Sequence, residues 1–162
     1  ERYKTNKEVK IKDYDFVILP PWSLDRNIPF DFCINTKSMM EMDAASINKY
    51  FKYIQVNLKE DGYFLNVNRY FSSDNNYNFY FYKFPYDKKW KIIESKTSWL
   101  RKNIHFLLTQ RTKENFDEIE NIFKKLKVFT ENRMKYKKNI YYKIKTFIKG
   151  LFKRIRLKSI VS

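Results

Sequence analysis

The sequence predicts an α/β chain, and three observations carry that prediction. The segment PFDFCINTKSMMEMDAASINKYFKYIQVNLKEDGYFLNVNRY, residues 29–70, runs from a short apolar stretch through a polar loop and an amphipathic stretch to a second apolar stretch. Within it, Ile47, Phe51, Ile54 and Leu58 fall at spacings of four, three and four, which places them on one helical face. Hydrophobic residues make up 43% of the chain and aromatics 19%, so there is enough core material for a folded domain. Strand, helix and strand in that order form a crossover unit, which joins parallel strands with a right-handed connection.

Each element has its own signal. Residues 30–35 are bounded upstream by Pro29 and end where the polar residues Asn35 and Thr36 begin, as expected of a strand buried on both faces. Asp43 suits the N-cap of the following helix, because its carboxylate can accept from a backbone N–H that has no helical partner. Gly62 is expected to end that helix in the left-handed conformation. The second strand then covers residues 63–67, YFLNV. Residues 72–78, SSDNNYN, read as a polar loop with turn chemistry. Further on, Phe116, Ile119, Ile122, Phe123 and Leu126 outline a second amphipathic helix. Its acids, Glu114, Asp117, Glu118 and Glu120, come early and Lys124, Lys125 and Lys127 come late, matching the helix dipole.

Charge is concentrated at one end. Lys and Arg outnumber Asp and Glu by 34 to 18, a net charge of +16, and residues 133–162 hold eight lysines and three arginines with no acid. Ile140, Ile144, Phe147, Ile148, Leu151, Phe152 and Ile155 recur there at helical spacing, flanked by Lys143, Lys145, Lys149, Lys153, Arg154 and Arg156. Such a helix suits an anionic membrane surface, with the stripe in the interface and the cations at the headgroups. The same stripe could instead pack on another part of a longer chain or on another subunit. Clustered cations also satisfy the electrostatic requirement for nucleic acid, but no recognition motif accompanies them, so no specific nucleic-acid partner is expected.

Several chemistries are excluded. The only glycines are Gly62 and Gly150, so the chain cannot build a glycine-rich phosphate loop or a glycine elbow around a nucleophilic serine. One histidine and one cysteine make no transition-metal cluster, and Asp13, Asp15 and Asp25 are too scattered for magnesium; no metal is expected. His105 lies within a strand pattern, IHFLL, which favours a hydrogen-bonded structural role over general-base work. Cys33 reads as a small core residue without a disulfide partner.

The order FDFCINTKSMMEM, then INKYFKYIQ, then DGYFLNVNR resembles the second half of the sugar O-methyltransferases, which are S-adenosylmethionine-dependent enzymes with a Rossmann-like fold. The resemblance is most specific where an N-T-x-S-M-x-E-M loop meets a G-Y-F-L-x-x-N-R strand, and it spans residues 14–112. Upstream it takes in residues 15–19 and the Pro20-Pro21-Trp22 turn. Downstream it takes in residues 90–94 and 104–108, which would be the terminal antiparallel pair of strands. The glycine-rich first strand and turn of such an enzyme have no counterpart here, nor does an acidic second strand for the ribose. The resemblance therefore implies the carboxyl-terminal half of a methyltransferase domain at residues 1–112, lacking the N-terminal half that grips the cofactor. An amphipathic helix or linker at 113–130 and a basic tail at 131–162 follow it.

The same resemblance assigns roles. Ligands of open α/β sheets bind beyond the carboxyl ends of the strands, so the expected site comprises the two loop tips. Asn35, Thr36 and Trp22 would contact S-adenosylmethionine, with Trp22 covering adenine or belonging to the core. Ser38, Asn68 and Arg69 would bind the sugar or glycan. Glu41 would accept the hydroxyl proton, or cap the adjacent helix; Arg69 would hold the sugar or pair with Glu41. The implied activity is methyl transfer to a sugar hydroxyl in glycan biosynthesis, in a cytoplasmic enzyme, peripheral at the inner membrane face, whose present fragment is inactive alone. The alternative is a non-catalytic peripheral membrane or assembly module with a degenerate methyltransferase-like fold.

Overall fold

The first apolar stretch forms strand β1, Phe30–Thr36, and the chain returns beside it through helix α1, Ala44–Asn57, and strand β2, Leu58–Arg69. The structure, a computed structural model, describes residues 27–73 and 78–158, with side chains up to residue 149. Trp22, the segments upstream of it and the middle of the expected 72–78 loop lie outside the described residues. β1 and β2 pair in parallel, with Cys33 opposite Phe64 and Asn35 opposite Asn66. A short antiparallel pair of two-residue strands follows, β3 Phe71–Ser72 with β4 Phe79–Tyr80. Next come β5, Trp90–Thr97, β6, Ile104–Arg111, and helix α2, Glu118–Lys158. The main sheet has the order β1-β2-β6-β5, and β6 runs antiparallel to both of its neighbours. The chain is thus α/β, with a mixed sheet and a long C-terminal helix.

α1 forms where the apolar spacing predicts it. Asp43 accepts a hydrogen bond from the Ser46 backbone N–H at 2.7 Å, which satisfies one donor of the first turn. That contact also holds the Asp43 carboxyl below its ordinary range. Ile47, Phe51 and Ile54 are buried, and Leu58, expected on the same helical face, is buried as the first residue of β2 instead.

Gly62 does not end the helix. α1 stops at Asn57, Gly62 lies inside β2, and the left-handed backbone nearby belongs to Asp61, at φ 63°. The physical reason is a bulge: Phe30 pairs with Leu58 while Phe32 pairs with Tyr63, so β2 carries extra residues over that step. There the backbones close in, and a Cβ on Gly62 would stand 2.9 Å from the carbonyl oxygens of Asp31 and Lys59. Gly62 is needed for space, not for its dihedral freedom. Gly62→Ala is expected to lower stability by about 2 kcal/mol, as overpacking does, read from the midpoint of urea unfolding at unchanged slope.

The core lies on one face of the sheet. Phe51 of α1 meets Phe64, Phe84 and Tyr86, and Phe64 and Tyr86 both reach Trp90. Arg111 stacks over Trp90 at 4.9 Å and grips both carboxylate oxygens of Asp87, closing the edge of the cluster. α2 continues the same layer over β5: Ile119, Leu126 and Thr130 are buried, and Phe123 meets Phe81 and Tyr86 edge-on.

Two expectations are corrected here. β1 is an edge strand among the described residues, with Phe32 50% and Ile34 59% exposed, so it is not buried on both faces. The reason is that both helices cover the Phe64 side of the sheet, and no described element covers the side carrying Phe32, Ile34 and Tyr63. The two expected helical stretches at the C-terminus are also one helix of 41 residues. No proline or glycine interrupts it from Glu118 to Lys149, so the amphipathic pattern runs on without a break. Every side chain from Lys135 to Lys149 is exposed.

Candidate functional site

The two loop tips meet at the carboxyl end of the parallel pair. Lys37, at φ 62°, turns the chain out of β1 while its N–H still reaches the Val67 carbonyl at 2.8 Å. A single 3-10 turn, Met39–Glu41, follows, and the buried Met39 and Met40 pin it to the core. That anchoring gives the loop a fixed shape without any glycine.

A ladder of amides runs beneath the loop. Asn66 and Asn68 alternate along β2 and so share a face, and the register sets Asn35 directly opposite Asn66. The Asn35 Oδ1 accepts from the Ser38 hydroxyl at 2.6 Å and from the Met39 N–H at 3.3 Å. Its Nδ2 donates to the Asn66 Oδ1 at 3.1 Å, to which Asn68 also donates. Asn66 in turn donates to the Tyr86 hydroxyl at 3.2 Å. All three asparagines are buried, and among the described residues the Asn68 Oδ1 finds no donor. Burial pushes the Tyr86 phenol strongly upward, so it stays neutral as part of this ladder.

At the surface the same end carries an ion pair. Arg69 follows Asn68 and points to the opposite side of the strand, where its Nη2 lies 3.0 Å from the Glu41 Oε1. Both side chains are more than 40% exposed, so the contact adds about 0–1 kcal/mol to stability. Its consequence is positional: it ties the loop after β1 to the end of β2 and holds a carboxylate and a guanidinium at the mouth. Thr36 and Ser38 are exposed beside it. The structure thus brings Asn35, Thr36, Ser38, Glu41, Asn68 and Arg69 to one end of the sheet, with Asn35 and Asn68 inside and the other four at the surface.

Little of the contact set expected for S-adenosylmethionine is open to a ligand among the described residues. The Asn35 carbonyl oxygen and one of its amide hydrogens are engaged within the protein, Asn68 is closed to solvent, and Trp22 lies outside the described residues. Only Thr36 of the expected cofactor contacts offers an exposed hydroxyl. The described residues therefore do not assemble a holding site for the methionine and adenosine parts of that cofactor by themselves. Among the described residues there is also no group of three His, Cys, Asp or Glu side chains that could hold a metal.

A second polar cluster joins residues that are far apart in the sequence. His105 is buried under α2, with its Nε2 3.1 Å from the Ser95 hydroxyl and its Nδ1 3.2 Å from the Tyr70 hydroxyl, which also meets the Thr97 hydroxyl at 2.7 Å. Burial pulls the imidazole down to about 4, so it is neutral near pH 7 and is satisfied on both nitrogens. Burial likewise pushes the Cys33 thiol up to about 11, which leaves it an unreactive thiol. The alternation N-V-N at residues 66–68 could have signalled the amide ladder. Nothing in the sequence pairs His105 with Tyr70 and Ser95, because those contacts depend on strand register.

No protein-family model matches the chain, and none of the curated proteins compared with it does so.

Proposed function

We propose that this chain is the acceptor-side part of an S-adenosylmethionine-dependent, Rossmann-like methyltransferase that acts on a sugar hydroxyl. The observation that carries the reading is the Glu41–Arg69 ion pair, which joins the two loop tips at the carboxyl end of a parallel strand pair followed by an antiparallel pair. In this reading Glu41 accepts the proton of the reacting hydroxyl, Arg69 fixes the carboxylate, and Ser38 and the guanidinium hydrogen-bond neighbouring hydroxyls. The amide ladder of Asn35, Asn66 and Asn68 keeps the loop in place from below. In this reading the described residues supply the acceptor side and do not by themselves grip the cofactor.

Calorimetric titration of S-adenosylmethionine into the polypeptide with its natural upstream sequence tests this. Micromolar binding is expected, and Glu41→Gln should leave it unchanged while slowing methyl transfer about 100-fold, the scale of one general base. Absence of binding up to about 1 mM, beyond which affinity carries no meaning for a cofactor, ends the enzyme reading. The internal engagement of Asn35 favours the second reading in that event, a non-catalytic assembly module that kept the sheet.

A further inference from the structure

We infer that the exposed half of α2 docks on an anionic lipid bilayer and thereby sets the carboxyl end of the sheet against the headgroups. Three observations lead there. First, the helix is anchored to the domain around Arg133, which stacks over the Tyr70 and Phe129 rings and donates to the Lys102 carbonyl. Beyond it, residues 135–158 continue as helix for about 36 Å at the usual rise per residue. The side chains of residues 135–149 are all exposed, and Lys137 edges a cleft that it shares with Tyr70, Phe71 and Asn103.

Second, that arm carries an apolar stripe in the open. Tyr136, Ile140, Ile144, Phe147 and Ile148 are all exposed, Phe147 at 70%, and they share a face at spacings of four, four, three and one. Tyr141 and Tyr142 add rings with polar tips, a side-chain type suited to a boundary that is apolar on one side and wet on the other. Among the described residues no helix is long and apolar enough to cross a membrane, so the arm would lie on a bilayer and not span it.

Third, the charge selects the occupant. Residues 135–149 contain six lysines, and the last acid of the chain is Glu131. A second copy covering the stripe would bring lysines against lysines with no acid to pair them, the reverse of the charge pattern by which helices associate. A protein partner would need a matching acidic surface, whereas anionic lipid supplies negative charge and an apolar boundary together. Nucleic acid supplies the charge but leaves the stripe in water.

Arg133 contacts Tyr70, the residue after β2, and the turn before β6, so the arm departs from the end of the sheet where Arg69 and Glu41 pair. Docking would bring that mouth to the lipid surface. The inference does not depend on methyl transfer, since vesicles hold no cofactor and the two can fail separately.

Flotation of the intact chain with phosphatidylcholine vesicles, with and without about 30% phosphatidylserine, is the test. Binding should appear with the anionic vesicles and weaken as NaCl rises from about 0.1 to about 0.5 M, because the screening length shortens. The triple substitution Lys143→Gln, Lys145→Gln, Lys149→Gln should weaken it about 100-fold, roughly fivefold per cation. Ile144→Asp with Phe147→Asp should abolish it, and neither variant touches the domain core. Equal binding to neutral vesicles would overturn the electrostatic selection. Binding that survives the Asp substitutions, or is displaced by duplex DNA at equal phosphate concentration, would overturn it in favour of a polyanion. A stable dimer that the Asp substitutions dissolve would assign the stripe to a second copy.

Discussion

Phe51→Ala is expected to lower the unfolding free energy by about 3–5 kcal/mol, the range for losing a fully buried phenylalanine. The ring is 1% exposed and sits at the junction of three parts of the chain. It stacks on Phe84 at 5.4 Å, and meets Phe64 and Tyr86 edge-on at 5.7 and 4.9 Å. Its removal leaves a cavity between α1, β2 and the segment before β5, and the remaining rings are large and mutually packed, so they cannot collapse into it. A domain of this size has about 5–15 kcal/mol of stability in total. Equilibrium urea unfolding of Phe51→Ala and Phe51→Leu measures the effect, with leucine expected to recover more than half of the loss. A cost below about 1 kcal/mol for alanine, the level of a surface change, would show that α1 does not pack on this face.

The second large effect is a loss of stability in acid that traces to His105. In the folded chain its imidazole is pulled from the ordinary 6.5 to about 4 by burial, so the native state binds that proton only near pH 4. The unfolded state takes it up near pH 6.5. Stability is therefore fully present above about pH 6.5 and falls as the pH drops through the interval to about 4, since the unfolded state then binds more protons. The interval of about 2.5 pH units corresponds to about 3 kcal/mol. Comparing pH 7 and pH 4, the wild-type chain should lose that much more than His105→Gln, which keeps a polar group facing Ser95 and Tyr70 but cannot be protonated. Equal losses in the two proteins would mean that His105 is open to water or paired with an acid.

The parallel pair and its helix were legible because their signals are local. Asp43 precedes a run with apolar residues at three and four, and the capping bond and the buried face both follow from that spacing. The Glu41–Arg69 pair was legible as one of two options, since a crossover sets successive strand ends side by side. Gly62 was misread because a glycine after a helical stretch is a common stop, whereas its actual duty arises from the register shift between β1 and β2. The exposure of Phe32 and Ile34 was equally hidden: an apolar run reports what a strand could bury, not which neighbours are present to bury it. The His105 cluster joins residues from β5, β6 and the end of β2, and only the pairing of Thr97 with His105 and of Asn68 with His105 brings them together.

The unbroken course of α2 gives the molecule a lever. A disordered tail of the same composition would attach the domain to a surface while leaving it free to tumble. α2 instead runs from the Glu118 carboxylate on the Ile92 N–H, past Phe123 and Leu126 in the core, to Arg133 at the far end of the sheet. Whatever holds the outer half therefore fixes the angle of the whole sheet, and a torque on the arm is transmitted to the floor on which Tyr70 and His105 are packed.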